Sequence, residues 1–184
     1  MQKEKFTNEK MLQKYFITNI QAYLKTKQKQ SIAWGEAIKS GLTDSLIIMS
    51  WRGKGAGVKA AKQHHQVIMS PRKYCYFDYP QHLKDPLHAV WMTYLSLKHV
   101  YAYTPFSKHL NETENKYIIG GEAMLWTEFI TSEEKARYQI FPRIAAFSEK
   151  LWSGTSKEEY KDFKKRLSNA PNHPFSVISN TLAH

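Results

Sequence analysis

The stretch "YIIGGEAMLWTEF", Tyr117–Phe129, carries the decision about the fold. Apolar residues run without alternation into two glycines. A tryptophan and a glutamate then follow two positions apart, Trp126 and Glu128. An unalternating apolar run suits a strand covered on both faces, as in a parallel sheet. Three earlier runs have the same character: "SIAW" (31–34), "SLIIMSW" (45–51) and "VIMS" (67–70). With a fourth strand over 117–126, helical patterns fill much of the rest. A helix is expected over 8–28, capped by Asn8, with Met11, Leu12, Tyr15, Phe16, Ile20, Tyr23 and Leu24 on one face. Another, "VKAAKQHHQ", follows the turn "RGKGAG". Helices are expected over 132–152, interrupted at Pro142, and over 156–167. Pro71 to Pro105 reads as a long aromatic loop, and the tail "NAPNHPFSV" as irregular. Buried strands alternating with helices imply an α/β fold with a parallel sheet.

The 184 residues suffice for a domain with a sizeable core. The net charge of +11 raises the question of an anionic partner. Its lysines and arginines are dispersed through "MQKEK", "KTKQKQ" and "KKR", as on solvated faces, so nucleic acid ranks last among partners. The one cysteine, Cys75, excludes an internal disulfide and a cysteine-rich metal site, and reads as a packed thiol. His64 and His65 are adjacent on a helix and point apart, a poor metal pair. In "GKGAG" the dinucleotide fingerprint would need glycine where Val58 stands, so a tight strand-to-helix turn explains the glycines. No cofactor or metal is expected. No apolar run reaches membrane-spanning length. The polar start, "MQKEKFTNEK", does not read as a signal peptide. Phe147 and Trp152 are expected in the core, and Lys39 and Asp44 carry no readable role.

The strand ends share a character. The first closes on Trp34, with Glu36 beyond, and the second on Trp51. The third leads into "CYFDY", with Tyr76, Asp78 and Tyr79. The fourth closes on Trp126 and Glu128. Parallel α/β folds bind ligands beyond the carboxyl ends of their strands. Aromatic rings pack on the C–H faces of a sugar, and carboxylates accept bonds from its hydroxyls. The simpler account, rings that plug a core, serves any one tryptophan but accounts poorly for four strands alike.

"IAWGE", "IIMSWRG", "VIMSPRKYCYFDYPQ", "GGEAMLWTEFI" and "FPRIAAFSEKLW" together resemble the closing half of the catalytic barrel of family 20 glycoside hydrolases, the β-N-acetylhexosaminidases. The likeness runs from about residue 8 to 153. It implies the C-terminal half of a TIM (β/α)8 barrel, about four parallel strands with covering helices over 1–155, followed by a helix and irregular tail over 156–184. By the resemblance, Trp34, Trp51 and Trp126 wall a pocket for the 2-acetamido methyl group. Tyr76 bonds the acetamido oxygen, and Asp78 and Glu128 hold the 4- and 6-hydroxyls. The implied substrate is a terminal N-acetylglucosamine or N-acetylgalactosamine glycoside, cleaved with retention by its own acetamido group.

The family's Asp-Glu pair, which orients the amide and protonates the leaving oxygen, has no counterpart here, because no Asp-Glu dipeptide occurs. Glu36, Glu122 and Glu149 are not in position to replace it. The chain is therefore expected to be a fragment, inactive alone, whose partner is the N-terminal half of the barrel. Full-length relatives commonly work outside the cytoplasm, in the periplasm, in lysosomes or secreted. A non-catalytic amino-sugar-binding remnant is the alternative, with a basic nucleic-acid-binding α/β domain last.

Overall fold

The computed structural model describes residues 6–41, 45–85, 92–153 and 159–169. They form two compact units. One comprises Met1–Arg72 and Pro105–Glu122, the other Lys73–Thr104 and Ala123–His184.

The first unit holds the sheet. Strands β1 (Ile32–Trp34), β2 (Ile47–Ser50), β3 (Val67–Met69) and β4 (Ile118–Gly121) lie side by side in sequence order. Every neighbouring pair is parallel. The apolar runs thus became parallel strands, because helical connections return the chain to the same end each time. Helix α2 (Gly55–Lys62) packs on β2 and β3. Gly57 permits this: a Cβ there would lie 2.6–2.9 Å from Met69 and Val67 side-chain atoms. Close packing therefore explains part of the glycine-rich turn. The turn is tied by Ser50, whose Oγ donates to Gly53 O at 2.6 Å and accepts from Gly57 N at 2.9 Å. Leu46, Ile48, Ala60, Ala61, Val67, Met69, Leu110 and Ile118 form the core here.

The "GG" of the opening stretch also has a structural cause. The β3–β4 register slips by one residue, pairing Val67 with Ile118 but Ile68 with Gly120. Gly120 takes φ +150°, which side-chain-bearing residues rarely adopt.

One expectation for this unit needs correction. The first strand is not buried: Ile32 is 52% and Trp34 40% exposed. Among the described residues it pairs only with β2, so it is an edge. Helix α1 (Glu9–Thr26) forms under its Asn8 cap, but none of its residues is buried. Ile17 packs against the core, while Met11, Leu12, Tyr15, Phe16, Ile20 and Tyr23 stay exposed.

In the second unit, the expected aromatic loop carries helical turns. Helix α3 (Arg72–Cys75) leads into it, and α4 (Leu97–Tyr101) is capped by Ser96. The short α5 (Glu112–Asn115) belongs to the first unit. Helices α6 (Glu133–Ile140) and α7 (Arg143–Trp152) meet at a cis Phe141–Pro142 bond, the expected interruption. Helix α8 (Tyr160–Ser168) closes the described chain. Rings supply the packing: Phe147 stacks on Tyr103 and meets Phe77 edge-on, and Tyr101 stacks on Phe163. Trp152 is not core but 94% exposed. Arg143, Ala146 and Phe147 define the buried face of α7, and five residues on from Phe147 points about 140° away from it. Asp44 and the tail beyond 169 lie outside the described residues.

Candidate active site

In the first unit, Trp34 is the last residue of β1 and Trp51 follows β2 directly. Their rings meet edge-to-face, with centroids 6.4 Å apart. Glu36, in the 3₁₀ turn Gly35–Ser40 after β1, holds the second ring. Trp51 Nε1 donates to its two carboxylate oxygens at 3.1 and 3.0 Å. Arg52 Nε donates to the same carboxylate at 2.8 Å, and its guanidinium covers the Trp51 ring at 4.8 Å. Burial pushes the Glu36 pKa up, but the bonds from Trp51 and Arg52 outweigh it, so the group stays below its ordinary value.

In the second unit, Tyr76 lies beyond β3 and forms an isolated parallel bridge with Met124, beyond β4. That bridge brings "CYFDY" beside "AMLWTE". The Tyr76 and Trp126 rings lie 6.5 Å apart, and Tyr79 meets Tyr76 edge-on at 6.1 Å. Tyr76 is buried, whereas Trp126 keeps 43% exposure.

Asp78 is only 4% exposed, and its Oδ1 has no hydrogen-bond partner among the described residues. Burial is the main cause that raises its pKa to about 6. The Glu128 carboxylate adds to the rise, while backbone amides at 78 and 126 and the Arg143 cation oppose it. A buried carboxyl with one unsatisfied oxygen, near a second carboxylate, has acceptor capacity left for ligand hydroxyls.

Two buried side chains that the sequence did not single out support Asp78. Arg143 Nη2 donates to Phe77 O at 2.6 Å and Nη1 to Tyr79 O at 2.8 Å. Gln139 Nε2 donates to Asp78 O at 3.0 Å. Burial lowers the Arg143 pKa to about 9, which still leaves a cation at neutral pH. A sequence signal existed: Arg143, Ala146 and Phe147 share one helical face, which puts the cation among core residues.

The remaining candidates are occupied elsewhere. Glu149 accepts from Tyr101 Oη at 2.8 Å and from Arg166 at 2.6 Å. Cys75 is buried. His64 stacks on Tyr117, and His65 Nδ1 lies 3.1 Å from Leu46 O, so the two serve different neighbours.

The model of "Glycosyl hydrolase family 20, catalytic domain" matches residues 1–155. The chain belongs to glycosyl hydrolase family 20. A β-hexosaminidase of Porphyromonas gingivalis is 37% identical over 164 residues, which cover 89% of this chain and 21% of the relative. A β-hexosaminidase of Vibrio furnissii is 27% identical, over 80% of this chain and 25% of its own. Among solved structures, the exo-β-N-acetylglucosaminidase of Vibrio harveyi in complex with N-acetylglucosamine superposes with a TM-score of 0.82 at 27% identity, over 91% of this chain and 27% of that one. The β-N-acetylhexosaminidase of Bacteroides fragilis gives 0.74 at 26%, over 91% and 35%. The chain thus spans about a fifth to a third of the length of these family 20 proteins. These neighbours are TIM-barrel enzymes, and the chain, with its four parallel strands and covering helices, matches part of such a fold.

Proposed function

We propose that this chain supplies sugar-binding residues to a β-N-acetylhexosaminidase that removes terminal N-acetylglucosamine or N-acetylgalactosamine with retention. The observation that carries this reading is the buried Asp78 carboxyl, whose Oδ1 has no hydrogen-bond partner among the described residues and which feels the charge of Glu128. In this proposal Asp78 and Glu128 accept the 4- and 6-hydroxyls. Trp34, Trp51 and Trp126 pack on the acetamido methyl, and the Tyr76 hydroxyl donates to the acetamido oxygen. That oxygen attacks the anomeric carbon as the glycosidic bond breaks, giving an oxazolinium ion that water then opens. Holding the amide in attacking geometry is the rings' contribution to rate. The acid that protonates the leaving oxygen and the carboxylate that orients the amide come from a polypeptide carrying the first half of the barrel. The absence of an Asp-Glu dipeptide from the 184 residues supports that division of labour.

The test is calorimetric titration of the full chain with N-acetylglucosamine and with glucosamine. N-acetylglucosamine should bind at least about tenfold more tightly, and Asp78→Ala should abolish the heat. Equal affinity for the two sugars would remove the acetamido role. The same missing pair also favours a second reading, binding without cleavage, and an assay with a nitrophenyl N-acetylglucosaminide separates the two. The chain alone should show no turnover, and mixing with a polypeptide that carries the first half should restore it. Turnover of about one per second by the chain alone, lost in Trp126→Ala, would mean that Glu36 or Glu122 acts as the acid.

A further inference from the structure

We infer that Gln139 and Arg143 are positioning residues, which hold three successive backbone carbonyls so that the Asp78 carboxyl stays aimed at the sugar. Arg143 takes the carbonyls of Phe77 and Tyr79 at 2.6 and 2.8 Å, and Gln139 takes that of Asp78 at 3.0 Å. The same guanidinium also donates to Leu95 O at 3.2 Å and to Gln139 O at 2.5 Å. Gln139 Oε1 accepts from Arg143 Nη2 at 3.3 Å, so the two side chains brace each other. On the amide side, Phe77 N donates to Met124 O at 2.6 Å and Tyr79 N to Tyr76 O at 3.2 Å. Asp78 is thereby fixed from both edges of its backbone, while its own Oδ1 has no partner among the described residues.

The arrangement differs from ordinary helix packing in its geometry. A planar fork with five N–H donors can bridge carbonyls two residues apart, and an ammonium acts from a single point. Backbone segments between strands have no ladder to hold them, and an unsupported carboxyl would turn toward water. The clamp continues the hold beyond the Tyr76–Met124 bridge, over 77–79. Both residues reside at the α6–α7 junction, and the junction is bound in return: Gln81 Nε2 donates to Phe141 O at 3.0 Å and also to Tyr138 O.

The inference deepens the proposed sugar contact of Asp78 and rests on it for its functional meaning. Its test reads the carboxyl itself, by carbon-13 NMR titration of the Asp78 side chain in the full-length chain. The groups that bear on this carboxyl are Glu128 and Arg143, and Gln139→Met changes the charge of neither. The wild type should titrate near 6. In Gln139→Met, which removes the donor at similar volume, the midpoint should fall by at least about half a pH unit as water reaches the carboxyl. A contact that only stabilises the fold would lower the melting temperature and leave the midpoint in place. An unchanged midpoint in folded Gln139→Met therefore overturns the inference. So does a wild-type midpoint near the ordinary ~3.9. Addition of N-acetylglucosamine to the wild type tests the sugar reading separately: no shift of the Asp78 signal would break that reading and leave the titration result intact.

Discussion

Two carboxylates, Glu36 in the first unit and Asp78 in the second, both have an arginine nearby and behave in opposite ways. Glu36 is held by side chains, Trp51 and Arg52, in a cluster open to water, and its pKa is lowered. Asp78 is buried, has an open oxygen, and its pKa is raised to about 6. The difference lies in where each guanidinium spends its donors. Arg52 gives Nε to its carboxylate, while Arg143 gives its donors to carbonyls and one amide oxygen. A direct partner compensates a carboxylate's charge. A clamp on the neighbouring backbone fixes its place and leaves the charge for a ligand to satisfy.

Removing the clamp should have the largest effect. Arg143→Met leaves buried carbonyls of Phe77, Tyr79 and Leu95 without the donors they now have. A loss of at least about 3 kcal/mol is expected in urea denaturation. A loss under about 1 kcal/mol would show that water replaces the guanidinium and that this cluster is open to solvent.

Asp78→Asn comes next, with the opposite sign. A carboxyl whose folded titration point lies above its unfolded one binds protons preferentially in the folded state. Stability therefore falls as pH rises from about 4 to about 6 and stays lower above that. The amide of Asp78→Asn cannot ionise, so the variant should be more stable than wild type at pH 7, by about 1–3 kcal/mol, and should lose that part of the pH dependence. Melting curves at pH 4 and pH 7 check this. A variant destabilised equally at both pH values would contradict the raised pKa.

Glu36→Gln should change least. Its arginine partner is largely solvent-exposed, and such ion pairs contribute about 0–1 kcal/mol. Fixing the Trp51 ring is the more sensitive consequence. The near-ultraviolet circular dichroism of the Trp34–Trp51 pair should weaken in Glu36→Ala and be largely kept in Glu36→Gln, whose amide oxygen still accepts from the indole. Equal spectra in both variants would show that ring packing alone holds Trp51.

Much of this was readable in advance, and the exceptions have physical causes. Four apolar runs located four strands, and the helical spacers made them parallel. The break at Pro142 and the aromatic strand ends were legible because they depend on residue type and local spacing. Trp34 and Trp51 meet as rings, as do Tyr76 and Trp126. The exposure of β1 and α1 was not legible, because a 3.6-residue or unalternating apolar pattern says that a face needs cover and not what covers it. Trp152 was misplaced for a related reason: its type favoured the core, and its phase on α7 turned it outward.

By its sequence alone, this protein was determined to be an α/β chain with family 20 motifs at its strand ends, since strand period, turn chemistry and aromatic type are local properties. Only the tertiary structure decided that Arg143 and Gln139 would hold residues 77–79, and that Asp78 would be buried with one oxygen open. The partners in that clamp are backbone carbonyls, which every residue carries alike. No side-chain pattern can say which of them a guanidinium more than sixty residues away will meet.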